Sequence, residues 1–430
     1  MTTTAHSSRA RPARRLTALA VTVAALLGVG ACTPDQQPAP PGERVEVFTW
    51  WASGSEKLGL DALVEVFEEQ HPDVSFVNGA VAGGAGSAAK DLLDSRLAAG
   101  DPPDTFQAHA GAELADYVEA GQVADLTDLY DAEDLRDAFP AELVARLSVD
   151  GRVHAVPSNI HRANVVWANP DVLEAAGLDP DARYASVDEW LVALEAVEAS
   201  GRTPLALATT WTQVHLLETV LLAELGPQAY AGLWDGSTDW AGVEVRAALE
   251  DFATLLTYSN ADRGGLDWPD ATQRVIDGEA AFNVMGDWAV AAFESAGLEP
   301  GRDYVHFPVP GTDGAFDFLA DAFTLPVDAS NPDGARAWLR TVASAEGQAA
   351  LSAEKGSIPA RLDVDPDDLS SYQRSAMASF AEDTVVPSLA HGAAAPAATL
   401  TAMTAAVGRF TEGTTDVTAL QAELAAAAAG

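Results

Sequence analysis

The sequence contains a single cysteine, Cys32, so no disulfide bond can form within the chain. A basic stretch with four arginines comes first, followed by the apolar run Leu16 to Val29 and by the small residues Gly30 and Ala31. This order is typical of a secretion signal with a lipobox-like cleavage site, and the apolar run is short for a transmembrane helix. An exported chain without disulfides must be stabilised by burial of an apolar core.

We therefore predict that residues 1–31 are a signal peptide and that Cys32 carries a lipid. Residues 32–44 are rich in proline, which predicts a stiff stalk between lipid and globular body. The mature protein is then a lipoprotein on the outer face of the cytoplasmic membrane. The alternatives are a free thiol in a signal cleaved elsewhere, or an uncleaved anchor.

Composition restricts the classes of partner. The 430-residue chain has a formal charge of −40, and loss of residues 1–31, which carry arginines but no acids, makes it more negative. Such a charge argues against nucleic acid as a partner and against polybasic contact with anionic lipid. Hydrophobic residues make up 48% of the chain, enough for a large core spread over two or three domains. The acidic balance also favours solubility, or a habitat with much salt.

Periodicity along the chain predicts an α/β fold. Residues 45–49 and 74–77 alternate as strands, and an amphipathic helix between them ends before Pro72. A second helix, Ser87 to Ala99, leads to a strand at Thr105, which gives a parallel β-α-β-α-β unit. Later strands are predicted at 163–167, 280–285 and 318–326. Helices are predicted at 187–199 and 213–225, and the last third is largely helical. Crossings between two lobes are predicted near residues 153–160 and 305–316.

No catalytic or metal-binding motif is evident. Zinc-protease, nucleophile-elbow and P-loop patterns are missing, and the eight histidines show no metal-ligand spacing. Aromatic and polar residues instead follow strand ends, at Trp50, Trp51, Gln107 and His109. Ligands of open α/β sheets lie outside the carboxyl ends of strands. Indole faces and side chains that hold hydroxyls together suit a polyhydroxylated neutral ligand.

In these segments the chain resembles the carbohydrate-binding lipoproteins of ABC importers, within the extracellular solute-binding group and nearest to its glucose/mannose-type members. The resemblance runs in order through the mature chain. The segments that carry it are Phe48 to Trp51, Gly83 to Gly86, Gly100 to Gly111, Asn159 to Arg162, Trp211 to Gln213, Asn283 to Trp288, Lys355 to Arg361 and Leu389 to Gly392.

The resemblance implies a periplasmic-binding-protein-like fold, with two α/β lobes, a central ligand cleft and crossover hinge strands. The N-terminal lobe would comprise 45–155 plus 312–356, and the C-terminal lobe 160–308 plus 362–430. The implied ligand-binding residues are Trp50, Trp51, Glu56, Gln107, His109, Trp268, Asp321, Lys355 and His391. No catalytic residue, cofactor or metal is implied.

The implied function is to bind a monosaccharide such as glucose and to deliver it, as a monomer, to an ABC permease. Two alternatives stay open: an exported glycan-degrading enzyme, and a binding protein for a non-sugar solute such as a polyamine. Strand alternation places Trp50 rather than Trp51 partly in the core. Asn159, His161 and Arg162 are expected at the hinge, and Asp287 and Trp288 in the packing around it.

Overall fold

The structure is a computed structural model that describes residues 43–81 and 86–430. The predicted signal peptide, the lipid site at Cys32, most of the stalk and part of the glycine-rich turn at 83–86 lie outside the described residues. Within the described part of the chain, no helix combines the length and the apolar character needed to cross a bilayer.

In the residues that the structure describes, the strands form three sheets, of six, four and two strands. They are β1 (Arg44–Phe48), β2 (Ser75–Asn78), β3 (Thr105–His109), β4 (Ser148–Val149), β5 (Arg152–Val153), β6 (Ala155–Arg162), β7 (Val165–Ala168), β8 (Thr203–Ala206), β9 (Ala280–Val284), β10 (Val305–Pro308), β11 (Ala315–Thr324) and β12 (Thr384–Pro387).

Helices cover the sheets and are densest in the last third of the chain. They are α1 (Gly54–Gln70), α2 (Ser87–Ala99), α3 (Ala112–Glu119), α4 (Thr127–Ala132), α5 (Leu135–Ala138), α6 (Ala141–Arg146), α7 (Pro170–Ala175), α8 (Val187–Ala199), α9 (Thr210–Asp235), α10 (Val243–Thr257), α11 (Trp268–Ile276), α12 (Val290–Ser295), α13 (Pro332–Ala343), α14 (Ala345–Lys355), α15 (Ser371–Glu382), α16 (Ala397–Thr411) and α17 (Val417–Ala428).

The larger sheet confirms the predicted parallel unit. Strand β1 lies between β2 and β3 and is parallel to both. The long strand β11 then pairs antiparallel with β3 and with β6, and parallel with β12. Since β11 is buried along its whole length, it forms the spine of this sheet. Its register with β3 decides which side chains meet at the sheet edge.

The smaller four-stranded sheet has the order β10-β7-β9-β8. The chain passes from the larger to the smaller sheet between Arg162 and Val165, and returns between Pro308 and Ala315. The first passage lies a few residues beyond the predicted crossing near 153–160, and the second lies inside the predicted range. The residue limits of the two lobes stay a prediction.

Two local features differ from the sequence prediction. The helix expected at 213–225 is longer, and it kinks at Gly226, which has a φ of 72° and precedes Pro227. Strands β4 and β5 form a short hairpin that was not predicted. Its turn at Asp150 and Gly151 has positive φ at both residues, which suits a tight two-residue turn.

Asp104 ties three elements of the larger sheet together. Its buried carboxylate accepts hydrogen bonds from the backbone N–H of Glu46 at 2.8 Å and of Asn331 at 2.8 Å. The side-chain amide of Asn331 donates to it as well. The start of β3, strand β1 and the cap of α13 are thereby joined at one carboxylate.

We predict that Asp104→Ala lowers the free energy of unfolding by about 2–4 kcal/mol, because buried donors lose their acceptor. Urea denaturation followed by circular dichroism measures the change. The control is Asp101→Ala, since the Asp101 side chain is 82% exposed and its loss should cost less than about 0.5 kcal/mol. Equal effects of the two substitutions would contradict the assigned role of Asp104.

Candidate functional site

A small cavity of about 30 Å³ lies beside the ends of β1 and β3 and the middle of β11. Most of the predicted ligand residues line it, and they are Trp50, Glu56, His109, Trp268, Asp321, Lys355 and His391. The remaining lining residues were not predicted as ligands, and they are His161, Trp211, Trp288 and Leu319. Gln107 and Trp51 do not line the cavity.

The fold positions these side chains at the ends of elements. His109 is the last residue of β3, and the antiparallel register places it opposite Asp321 on β11. Lys355 ends α14, and Trp268 begins α11. Glu56 lies in the first turn of α1. Residues far apart in sequence therefore converge at one edge of the larger sheet.

Trp50 and Trp51 have the reverse of the expected environments. Trp51 is fully buried, with its ring edge against Phe323, while Trp50 keeps 8% of its surface exposed and lines the cavity. The prediction was wrong because β1 ends at Phe48 and the chain turns there, so strand alternation does not extend to these residues. Gly86 packs against the Trp50 ring, where a Cβ would lie 2.9 Å from a ring carbon.

Asp321 is the most heavily bonded group of the site. Its carboxylate accepts hydrogen bonds from Lys355 Nζ at 2.5 Å, Gln107 Nε2 at 2.8 Å and Asn159 Nδ2 at 3.1 Å. Burial alone would raise its pKa, but the ammonium of Lys355 and the hydrogen bond from His161 hold the pKa of Asp321 well below its usual range. The carboxylate is therefore charged.

Gln107 acts through Asp321 rather than on the cavity. Its side-chain oxygen accepts a hydrogen bond from the Thr49 hydroxyl, while its amide nitrogen donates to Asp321. Gln107 does not line the cavity in this arrangement, and its contact with a ligand stays a prediction. Its position indicates that it orients the Asp321 carboxylate.

His161 extends the charge network to the smaller sheet. Its Nε2 lies 2.8 Å from Lys355 Nζ, and its Nδ1 is hydrogen-bonded to Asp287, which follows β9. Burial and Lys355 oppose the charged imidazole, but Asp287 and Asp321 outweigh them and raise the pKa of His161. Expected at the hinge, His161 in fact joins the two sheets and lines the cavity.

A second group of charges lies behind His109. Glu113 Oε2 is 2.9 Å from His109 Nδ1 and 2.7 Å from Lys90 Nζ. Although burial opposes ionisation, Lys90 and His109 lower the pKa of Glu113 to about 2. Glu113 thus orients the His109 ring, whose Nε2 lies 3.5 Å from Asp321.

His391 and Glu56 have pKa values shifted by burial. Burial, with the neighbouring histidines, lowers the pKa of His391 well below its usual range, so its imidazole is neutral. Burial also raises the pKa of Glu56 to about 7, with Asp321 adding to the shift and Lys355 opposing it. Near neutral pH, Glu56 can therefore both donate and accept hydrogen bonds.

Sequence reasoning missed Trp211 and Trp288 as lining residues. Trp288 follows β9 in the segment Asn283 to Trp288, and Trp211 lies in the first turn of α9. Both belong to segments that carry the family resemblance, so the signal was present. The choice between a packing role and a cavity wall depended on tertiary placement, which spacing does not give.

Comparison with known proteins identifies the family. Residues 51–349 match the model for the bacterial extracellular solute-binding protein family. An uncharacterized ABC transporter extracellular-binding protein of Pyrococcus horikoshii is 35% identical over 377 residues, which cover 86% of this chain and 85% of that protein. The xylose/arabinose-binding protein of Haloferax volcanii is 31% identical over 374 residues, with 85% and 80% covered. The chain belongs to the bacterial extracellular solute-binding protein family.

The fold agrees with this membership. A solved chitin oligosaccharide binding protein superposes with a TM-score of 0.78 at 21% identity, covering 90% of this chain and 99% of that protein. The predicted α/β, periplasmic-binding-protein-like class is confirmed. The family and the relative from Pyrococcus horikoshii are described as extracellular binding proteins, which agrees with the predictions of export and of a binding role.

The raised pKa of Glu56 predicts a pH-dependent stability. The Glu56 carboxyl has a pKa of about 4.5 in the unfolded chain and about 7 in the folded chain. It therefore contributes least to the stability of the fold at a pH where it is ionised in both the folded and the unfolded chain. Its favourable contribution is present below pH 4.5 and is lost as the pH rises through 7. We expect Glu56→Gln, without ligand, to be more stable than the native protein at pH 8, by at most about 3 kcal/mol.

Thermal or urea unfolding at pH 4 and pH 8 checks this expectation, and the difference between the proteins should vanish at pH 4. Glu65→Gln is the matched control, because Glu65 is exposed on the same helix. A Glu56→Gln variant that is no more stable than the native protein at pH 8 contradicts the burial of a charge at this position.

Proposed function

We propose that this protein binds a glucose-type monosaccharide outside the cell and delivers it to an ABC import permease. The observation that carries the proposal is the lining of the cavity. Four indole rings surround a compact set of charged hydrogen-bonding groups; the rings are those of Trp50, Trp211, Trp268 and Trp288. Indole faces pack on the C–H faces of a sugar ring, and charged groups hold hydroxyls.

The small size of the cavity favours a small ligand. Its volume of about 30 Å³ is far below the roughly 300–1,000 Å³ range of ligand pockets, so the two sides of the cavity must move apart to admit a ligand. A single sugar ring requires less opening than a long glycan. Relatives named for xylose/arabinose and for chitin oligosaccharide bind different sugars, so the choice of hexose rests on the cavity and on the resemblance to glucose/mannose-type proteins.

The charges of the site favour a neutral ligand. Asp321 is paired with Lys355, and His161 with Asp287, so the groups around the cavity compensate one another. A polyamine would have to approach Lys355 against its charge, which counts against that class of solute. Sugar hydroxyls donate to carboxylates and accept from Lys355. An epimer that leaves one of these partners unpaired loses roughly 1–3 kcal/mol.

Contacts between the two sheets supply a mechanism of closure. His161 on β6 bonds Asp287 beyond β9, and the Ser55 hydroxyl donates to the carbonyl of Trp288 at 3.4 Å. A ligand held by both sides would stabilise the closed arrangement around the crossover segments. The closed form would then be the one that the permease recognises.

Export and anchoring complete the proposal. A signal peptide of residues 1–31, lipid on Cys32 and the proline-rich stalk 32–44 would hold the body outside the cytoplasmic membrane. A monomer with a strongly negative surface fits delivery to a membrane-bound permease, and the charge opposes a role with nucleic acid.

Opposite pKa shifts of Glu56 and Asp321 would also fit a glycan hydrolase, which uses an acid and a nucleophile. The hydrogen bonds of Asp321 count against it. Both carboxylate oxygens already accept bonds from Lys355, Gln107 and Asn159, which leaves a poor nucleophile. We propose binding without chemistry, and chromatography of the sugar after incubation tests whether it is returned unchanged.

Calorimetric titration of the purified protein with glucose, mannose, galactose, xylose, arabinose and maltose tests the proposed ligand. We expect one monosaccharide to bind with a dissociation constant near micromolar or tighter, about −8 kcal/mol. Tighter binding of maltose than of every monosaccharide would contradict the size argument. Failure of all six sugars to bind would contradict the sugar assignment.

The substitution Lys355→Met should weaken binding of that sugar about 10- to 100-fold, the value of a hydrogen bond from a charged group. It should also lower the melting temperature, because Asp321 loses its buried partner. Lys57→Met is the control, since Lys57 is exposed on α1 and pairs only with exposed Asp61. A folded Lys355→Met variant that binds the sugar with unchanged affinity would show that Lys355 does not contribute to the binding site.

A further inference from the structure

A second cluster of side chains lies behind the cavity wall. His215 and Glu218 on α9 are fully buried, and His391, in the segment after β12, is 6% exposed. One ligand-type atom from each of these residues lies within 4.8 Å of the others. His391 also lines the sugar cavity, whereas the other two do not.

The hydrogen bonding of His215 leaves a lone pair facing the cluster. Its Nε2 is 2.9 Å from the carbonyl oxygen of Ala163, so Nε2 carries the proton and donates it. Its Nδ1 is buried and has no hydrogen-bond partner among the described residues. An unpartnered buried acceptor is uncommon. Histidines that bind metal typically donate their other N–H to a carbonyl in this way.

Glu218 supplies a carboxyl oxygen at the same place. Burial raises its pKa to about 8, so the carboxyl would lose its proton on binding a cation. Its Oε1 lies 4.0 Å from His215 Nδ1 and 3.8 Å from His391 Nδ1. In residues 43–81 and 86–430, those two imidazoles are the groups within ion-pair distance of Glu218. Its other contacts are neutral donors, the Ser388 hydroxyl at 2.9 and 3.0 Å and the Ala390 N–H at 2.8 Å.

A further buried acid lies near Glu218. Asp317 on β11 is fully buried, and both of its carboxyl oxygens are without a hydrogen-bond partner in the described part of the chain. Burial and repulsion from Glu218 raise the pKa of Asp317 well above its usual range, so the two acids resist ionising together. A cation in the cluster would offset this repulsion.

We propose that His215 Nδ1, Glu218 Oε1 and His391 Nδ1 bind a divalent transition-metal ion, with zinc as the best match. Two imidazoles and one carboxylate form a common zinc donor set, whereas magnesium and calcium prefer oxygen ligands alone. Tetrahedral zinc, with bonds of about 2.0–2.2 Å, separates its ligand atoms by about 3.4 Å. The distances of 3.8 and 4.0 Å from Glu218 Oε1 to the two imidazoles exceed this value by about 0.4–0.6 Å, and the three ligand atoms lie within 4.8 Å of one another, so the cluster must contract to bind the ion.

The ion would join α9 to the segment that carries His391. That segment also contacts the start of α3, through N–H groups of Ala112 and Glu113 that donate to the carbonyls of Ala393 and Gly392. Metal on His391 Nδ1 would leave the proton on Nε2 and fix the ring in the cavity wall. The competing arrangement is metal-free, with the Ser388 hydroxyl, 2.7 Å from His391 Nδ1, bridging to Glu218.

The test uses the purified full chain in metal-free buffer, without sugar, so that its outcome is independent of the proposed sugar function. Zinc is titrated against a chromophoric chelator, and cobalt(II) is added separately to look for the intense visible bands of a tetrahedral site. We expect one equivalent to bind and the melting temperature to rise with zinc.

His215→Gln and Glu218→Gln should each weaken zinc binding at least 10-fold and abolish the rise in melting temperature. Circular dichroism establishes that the variants are folded. His71→Gln, at the end of α1, is the control and should bind like the native protein. Absence of stoichiometric zinc binding by the native protein, or undiminished binding by both cluster variants, overturns the proposal in favour of the metal-free hydrogen-bond network.

Discussion

The ion pair between Asp321 and Lys355 is the interaction on which the site depends. Both side chains are 2% exposed, and their charged atoms are 2.5 Å apart. Removing two charges from water is costly, and attraction repays it only when the remaining hydrogen-bonding capacity is also satisfied. Gln107, Asn159 and the two histidines supply that capacity. The segments that bear them are therefore fixed relative to β11.

That requirement explains why residues outside the cavity wall accompany those that line the cavity. Gln107 lies under Asp321, Glu113 behind His109, and Asp287 behind His161. Each orients a group in the cavity wall and balances its charge. In a buried polar network, a group that lacks some of its hydrogen-bond partners costs more free energy than the absence of that group. The residues behind the cavity wall are therefore as constrained as those that line it. Sequence segments such as Gly100 to Gly111 then combine both kinds of residue.

Much of the fold could be predicted because local signals were strong. The limits of α2 and α8 follow from amphipathic runs with clear ends, and β1 to β3 from alternation and parallel connection. The long helix α9 was cut short because apolar periodicity does not reveal whether a Gly-Pro pair ends or kinks a helix. Most of the site was predicted from the family resemblance. Spacing alone could not decide that Trp51 turns inward, nor that residues 215, 218 and 391 meet, since such contacts depend on tertiary packing.

The distribution of charge also separates the site from the rest of the molecule. The chain as a whole is strongly negative, yet Asp321, Lys355, His161 and Asp287 form a row in which two acids enclose two basic groups and the charges nearly compensate. A compensated row exerts little net field on its contents, so a neutral polar ligand gains directional hydrogen bonds without attracting ions. Glu56, with its pKa near 7, adds a group that can donate or accept. Such an arrangement distinguishes ligands by the positions of their hydroxyls, while the negative outer surface remains free to serve solubility and partner contact.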